Sequence, residues 1–112
     1  MNIYAIGFPC SEGFRYVKVD FSNVGLYTKA EVTYCIHLNK TSFYDEEAEA
    51  FRVLNILKEL DPDGDVEMIR DCDYYDDYAD YHADHDITSL VPSVKDLSVI
   101  KLVAQKLDAP EF

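Results

Sequence analysis

The chain has 112 residues, 48% of them hydrophobic, and carries 22 acids against 10 bases for a net charge of −12. A chain this short builds one modest core, so a single domain spanning residues 1–112 is expected. The charge speaks against direct nucleic-acid binding, which needs a basic patch, and against anionic membranes; it favours basic protein surfaces.

The chain opens on MNIYAIGF. This lacks a basic n-region and a long apolar run, so no signal peptide is expected. No stretch approaches 18 apolar residues, so none is expected to span a membrane. Cys10, Cys35 and Cys72 make an odd set without a CxxC pair. That is no disulfide framework, and it suits a reducing compartment such as the cytoplasm.

Residues 2–8 alternate as a short strand, with Ile3 and Ala5 set against Tyr4, Ile6 and Phe8. Pro9 to Gly13 reads as a turn, and Phe14 to Phe21 alternates again. Asn23 and Gly25 then break the chain. Ala30 to Leu38 has the clearest period of two. Val32, Tyr34, Ile36 and Leu38 fall on one face, and Glu31, Thr33, Cys35 and His37 on the other, as in a sheet with one wet side.

Ser42 to Asp45 has the spacing of a capping box, and Asp45, Glu46 and Glu47 suit a helix N-terminus. The helix should run to about Leu60, burying Phe51, Leu54, Leu57 and Leu60, with Pro62 and Gly64 as its stop. Val66 to Cys72 alternates as a strand. A second capping box at Ser93 and Asp96 predicts a last helix with Leu97, Ile100, Val103, Ala104 and Leu107 facing inward; the tail from Ala109 should fray. The expected class is α+β: a mainly antiparallel sheet of about four strands, covered on one face by two or three helices.

One of those helices would be the most unusual segment of the chain. Residues 71–86 read DCDYYDDYADYHADHD. Wound at about 100° per residue, Asp73, Asp76, Asp77, Asp80 and Asp84 share an arc of roughly 100°, while Tyr74, Tyr75, Tyr78, Tyr81, His82 and His85 occupy one of about 120° elsewhere. Five pairs of these aspartates are three or four residues apart. At about 0.2–0.5 kcal/mol each, the repulsion comes to roughly 1–2.5 kcal/mol, which a partner would relieve. Half of all the acids, 11 of 22, lie between Asp61 and Asp86, with only Arg70 among them as a base. Salt adaptation would spread the acids more evenly, and would not leave seven lysines against three arginines.

Carboxylates recurring every turn, about 5.4 Å apart, imitate part of a phosphate backbone at reduced density. Tyrosines give rigid contact area with a polar tip. Together they suit a protein that occupies the basic groove of a nucleic-acid-binding protein or nuclease. Acids would steer the encounter and tyrosines would hold it. The plain alternative is that the tyrosines pack on the sheet and the acids are merely solvated; if the segment is a loop, the arcs vanish but the charge remains. A homodimer would lengthen the acidic surface, and the sequence leaves it open.

Other patterns are weaker. Asp61 to Glu67 looks like a calcium loop, but counting from Asp61 puts Val66 and Cys72 where an EF-hand needs Gly and Glu. His82 with His85, and Cys35 with His37, supply too few ligands for a closed zinc site. There is no glycine-rich phosphate loop, no G-x-S-x-G and no H-E-x-x-H. No catalytic residue, metal or cofactor is therefore assigned, and no enzyme is expected.

In size, charge and acid clustering the chain resembles phage-encoded antagonists of bacterial defence or DNA-metabolic enzymes, the anti-restriction and anti-CRISPR type of DNA mimic. That resemblance implies a cytoplasmic inhibitor in a bacterial host and carries over no residues. The run Asp73 to Asp76, with its paired tyrosines among acids, also resembles the immunity proteins of nuclease toxins. Those are helical bundles, against which the strands read here argue. A third reading is an acidic adaptor or assembly subunit unrelated to nucleic acid.

Overall fold

The computed structural model describes residues 2–10, 13–71 and 91–103. Strand β1 (Asn2–Cys10) turns back into β2 (Gly13–Tyr16), and after Val17 the chain continues as β3 (Lys18–Val24) and returns as β4 (Tyr27–Tyr34). A two-residue β5 (Phe43–Tyr44) precedes the helix α1 (Glu47–Leu60); β6 (Val66–Arg70) comes after it, and β7 is Ser98–Val103.

Two sheets result. In the first, β1 is central and all pairing is antiparallel: β7 pairs with Asn2 to Gly7, β5 with Tyr4 and Ala5, and β2 with Gly7 to Cys10. The second has the order β3-β4-β6, with β3–β4 antiparallel and β4–β6 parallel. Val17 is the joint between them. It is fully buried, donates its N–H to Ile6 O at 2.9 Å, and accepts from Ser42 N–H at 3.3 Å. The sequence presents Phe14 to Phe21 as one alternating run. In the structure that run is split between two sheets at its most buried residue.

A parallel pair cannot be joined by a tight turn, and α1 provides the crossover from β4 to β6. Its buried residues are Ala50, Leu54 and Leu57, and it packs on β1, β4, β5 and β7. One core cluster joins both sheets through Ile6, Phe8, Val17, Val32, Tyr34, Leu54, Leu57 and Leu97. The Phe8 and Tyr34 rings meet edge to face at 6.3 Å. Burying side chains such as Leu57 contributes about 1.5–3 kcal/mol each.

The α+β class and the mainly antiparallel pairing match the expectation from sequence. Several details are corrected. Among the described residues, seven strands in two sheets replace one sheet of about four, and α1 is the one α-helix. The final helix expected after Ser93 is instead a 3-10 turn at Val94–Asp96 followed by β7. The capping box is real, since Ser93 N–H and its hydroxyl donate to the Asp96 carboxylate at 2.9 and 3.1 Å, but it caps a single turn. Beyond it, Val99, Ile100 and Val103 are β-branched and pair with β1, so the sheet wins over the helical spacing. Val99, not Ile100, packs on the core cluster. Ala104 and Leu107 lie outside the described residues.

The start of α1 is also shifted. Ser42 Oγ accepts the Val19 N–H at 2.9 Å, tying the chain to β3, and the helix begins after Glu46 with no side-chain cap. Phe51 is exposed at 46%, and Ala50 takes the buried position. The strand expected to reach Leu38 stops at Tyr34, because Cys35 adopts φ 59° and breaks the alternation.

Candidate functional site

The residues singled out from sequence, Asp73, Asp76, Asp77, Asp80 and Asp84 with Tyr74, Tyr75, Tyr78 and Tyr81, lie outside the described residues, as do His82 and His85. The structure does describe where the acidic run departs. Asp71, just past β6, donates its N–H to Tyr34 O at 2.9 Å, and its carboxylate accepts from Lys40 Nζ at 3.5 Å. The Arg70 guanidinium lies 5.8 Å from the centre of the Tyr34 ring. The run therefore leaves the second sheet from an anchored strand end beside the core.

On the way to that point the second sheet makes an acidic row that the sequence did not reveal. The strand register sets Asp20 opposite Glu31 and Glu31 beside Glu67. All three are exposed. Neighbouring strands are about 4.8 Å apart, so three carboxylates line up across β3, β4 and β6. Like charges in such positions destabilise a sheet. Lys18 Nζ lies 3.7 Å from Asp20 Oδ2, an exposed pair worth little. The three acids are far apart in sequence, and only strand register could have brought them together.

Beside the row lies a groove of about 280 Å³ lined by Glu31, Asp65 and Glu67 with Ser22 and Lys29. Its floor is held by the Ala30 N–H, which donates to Asp65 O at 2.8 Å. Asp61 and Asp63 are exposed on the 3-10 turn that precedes it, and Gly64 ends that turn at φ 76°. The calcium-like spacing is thus a helix stop leading into a strand. Among the described residues, no group of three or more His, Cys, Asp or Glu side chains is arranged to hold a metal ion.

Glu46, Glu47 and Glu49 are exposed at the start of α1, where the helix dipole favours them. With Ala48 and Arg52 they line or border a shallow hollow. A second cleft, of about 330 Å³, is framed by Phe14, Arg15, Tyr16, Ile36, His37, Leu38 and Thr41. The buried Thr41 hydroxyl has no hydrogen-bond partner among the described residues.

Of the three cysteines, Cys72 lies outside the described residues. Cys10 and Cys35 are free and half-buried. Burial pushes the Cys35 thiol up, against the opposing pull of the Arg70 and Arg15 guanidiniums, which keeps it a poor nucleophile at neutral pH. The left-handed turn at Cys35 also removes the shared strand face that would have paired it with His37.

No helix among the described residues is long and apolar enough to cross a membrane. No family model matches the chain, and no curated protein or solved structure shows significant similarity to it.

Proposed function

We propose that this protein is a small acidic inhibitor that imitates nucleic acid and blocks the basic groove of a nucleic-acid-binding or nucleic-acid-processing protein. A phage-type counter-defence or host-takeover role in the bacterial cytoplasm suits such a molecule. The reading involves no catalysis and no cofactor. Asp73, Asp76, Asp77, Asp80 and Asp84 supply the charge, and Tyr74, Tyr75, Tyr78 and Tyr81 the short-range anchors.

One observation carries the proposal: half of the acids fall between Asp61 and Asp86. The first of them, exposed Asp61, Asp63 and Glu67, lead along the second sheet to the anchored base of the run at Asp71. The Asp20–Glu31–Glu67 row lends further support, since it adds negative charge where sheet stability alone would disfavour it.

The immunity reading rests on a resemblance to helical bundles, and a chain with seven described strands suits that poorly. The adaptor reading differs in one testable respect, because its complex would be indifferent to added DNA.

The test is charge reversal. The variant Asp76→Lys/Asp77→Lys/Asp80→Lys should fold, since it relieves repulsion rather than removing core. It should lose partner binding, and the wild-type complex should weaken steeply with salt. A folded triple variant that binds its partner as tightly as the wild type would overturn the reading.

A further inference from the structure

Strand β3 lies at the edge of the second sheet, and its outer side has no strand on it among the described residues. Its hairpin with β4 closes through the two residues Gly25 and Leu26, with Gly25 at φ 64° as a type II′ turn asks. In such a hairpin the flanking pair, Val24 and Tyr27, is the hydrogen-bonded one, and hydrogen-bonded pairs then alternate along the ladder. Ser22 and Asp20 therefore bond to β4, while Val19, Phe21 and Asn23 turn their N–H and C=O groups outward. Two independent bonds agree with this phase. Val19 N–H goes to Ser42 Oγ, and Ala30 N–H, opposite Phe21, goes to Asp65 on the far side.

Among the described residues, the outward groups of Phe21 and Asn23 are thus an open edge, and the side chains beside them include several that are apolar. Phe21, Val24, Leu26 and Tyr27 are exposed at 42%, 57%, 100% and 69%. Soluble proteins blunt such edges with proline, bulges or inward charges. The stretch from Phe21 to Tyr27 contains no proline and no charged residue.

Charge indicates what covers it. Residues 18–29 hold one acid, Asp20, against Lys18 and Lys29, in a chain of net charge −12. This is a surface where a second copy can approach without strong self-repulsion. The edge is also self-complementary. If two β3 strands run antiparallel about a two-fold axis at Ser22, Phe21 faces Asn23 of the other copy and all the outward groups of both residues are matched. Asp20 then faces Val24, and Lys18 faces Leu26. The two Asp20 residues lie about 14 Å apart along the strands, beyond the screening length at physiological salt.

The geometry points to β3 as a homodimer edge, with two copies joined by β3 into one six-stranded sheet. This surface is separate from the acidic run that begins at Asp71, although Asp20 of the acidic row lies on β3, and it lengthens whatever acidic face the monomer presents.

The test uses the full chain. Sedimentation velocity over a concentration series should show a monomer–dimer equilibrium that strengthens as salt rises, because salt screens the repulsion between two acidic copies. Binding of a basic partner should weaken under the same change. Asn23→Pro removes an outward donor from β3 and, with the side chain, the exposed bond that the Thr28 hydroxyl donates to Asn23 Oδ1 at 3.0 Å. No β3–β4 backbone bond is lost, so it should keep the monomer's circular dichroism and weaken association on the order of tenfold to a hundredfold. Phe21→Lys, at a half-exposed position, should do the same by placing two new cations at the seam. Hydrogen exchange supplies a readout without mutation. The Phe21 and Asn23 amides should gain protection as concentration rises, while the Ser22 and Val24 amides are protected throughout. A chain that stays monomeric at all concentrations and salts overturns the proposal. So does a dimer that leaves the Phe21 and Asn23 amides unprotected.

Discussion

The helix α1 and the strand β7 began as equals. Both segments come after an acidic N-terminal signal, and both space their apolar residues by three and four. Only residues 47–60 became a helix. That segment is built mainly of Ala, Glu, Leu, Lys, Arg and Asn with two β-branched residues, and it is long enough to present three turns of buried face. Residues 98–103 have three β-branched residues in six, and β1 offers them six register partners from Asn2 to Gly7. A capping signal marks where a turn begins. Whether a helix or a strand grows from that turn depends on propensity and on a waiting partner strand.

Substitutions can break or sharpen this contrast. The largest effect is expected at Leu57, fully buried on α1. Leu57→Ala should cost about 2–5 kcal/mol in denaturant unfolding. Next is Gly7, on the stretch of β1 that meets both β2 and β7. A Cβ there would stand 2.5 Å from the backbone oxygen of Arg15. Gly7→Ala should therefore lose about 1–3 kcal/mol by forcing the strands apart, and its hydrogen-exchange footprint should reach β2. Val99→Ala should cost about 1 kcal/mol, because β7 turns Val99 into the core. A helix with Leu97, Ile100 and Val103 inward would leave Val99 outside, and the same substitution would then be silent.

The smallest effect belongs to the turn. The Ser93 N–H and hydroxyl hold the Asp96 carboxyl below the usual carboxylate range. A carboxylate with a folded pKa below its unfolded one adds stability above the unfolded value and loses it as pH falls through the folded value. Asp96 is fully in solvent contact, so the contribution is small. Asp96→Asn should lower the melting temperature slightly at neutral pH, and the difference from the wild type should shrink as pH falls below the usual carboxylate range and the wild-type carboxyl takes up its proton.

Part of this molecule was legible in its sequence. The alternation of residues 2–8 and 66–72 and the helix ending before Pro62 are local signals, and they correspond to β1, to β6, which ends at Arg70, and to α1. What sequence missed is set by distant partners. Val17 divides an unbroken alternating run because Ile6 and Ser42 claim its backbone. Ser42, placed like a cap, serves β3 instead. Tyr34 ends its strand because the next residue turns left-handed. The acidic row across Asp20, Glu31 and Glu67 arises from strand register, and periodicity within any one strand does not report it.

The central claim is that the acidic run from Asp71 onward meets a basic, nucleic-acid-binding surface. Tagged full-length protein captured on resin from bacterial lysate at low salt, washed, then eluted with duplex DNA and identified by mass spectrometry, tests it most directly. The expected result is a DNA- or RNA-binding protein released by the DNA. A partner that stays bound under excess DNA, or no partner at all, would contradict mimicry.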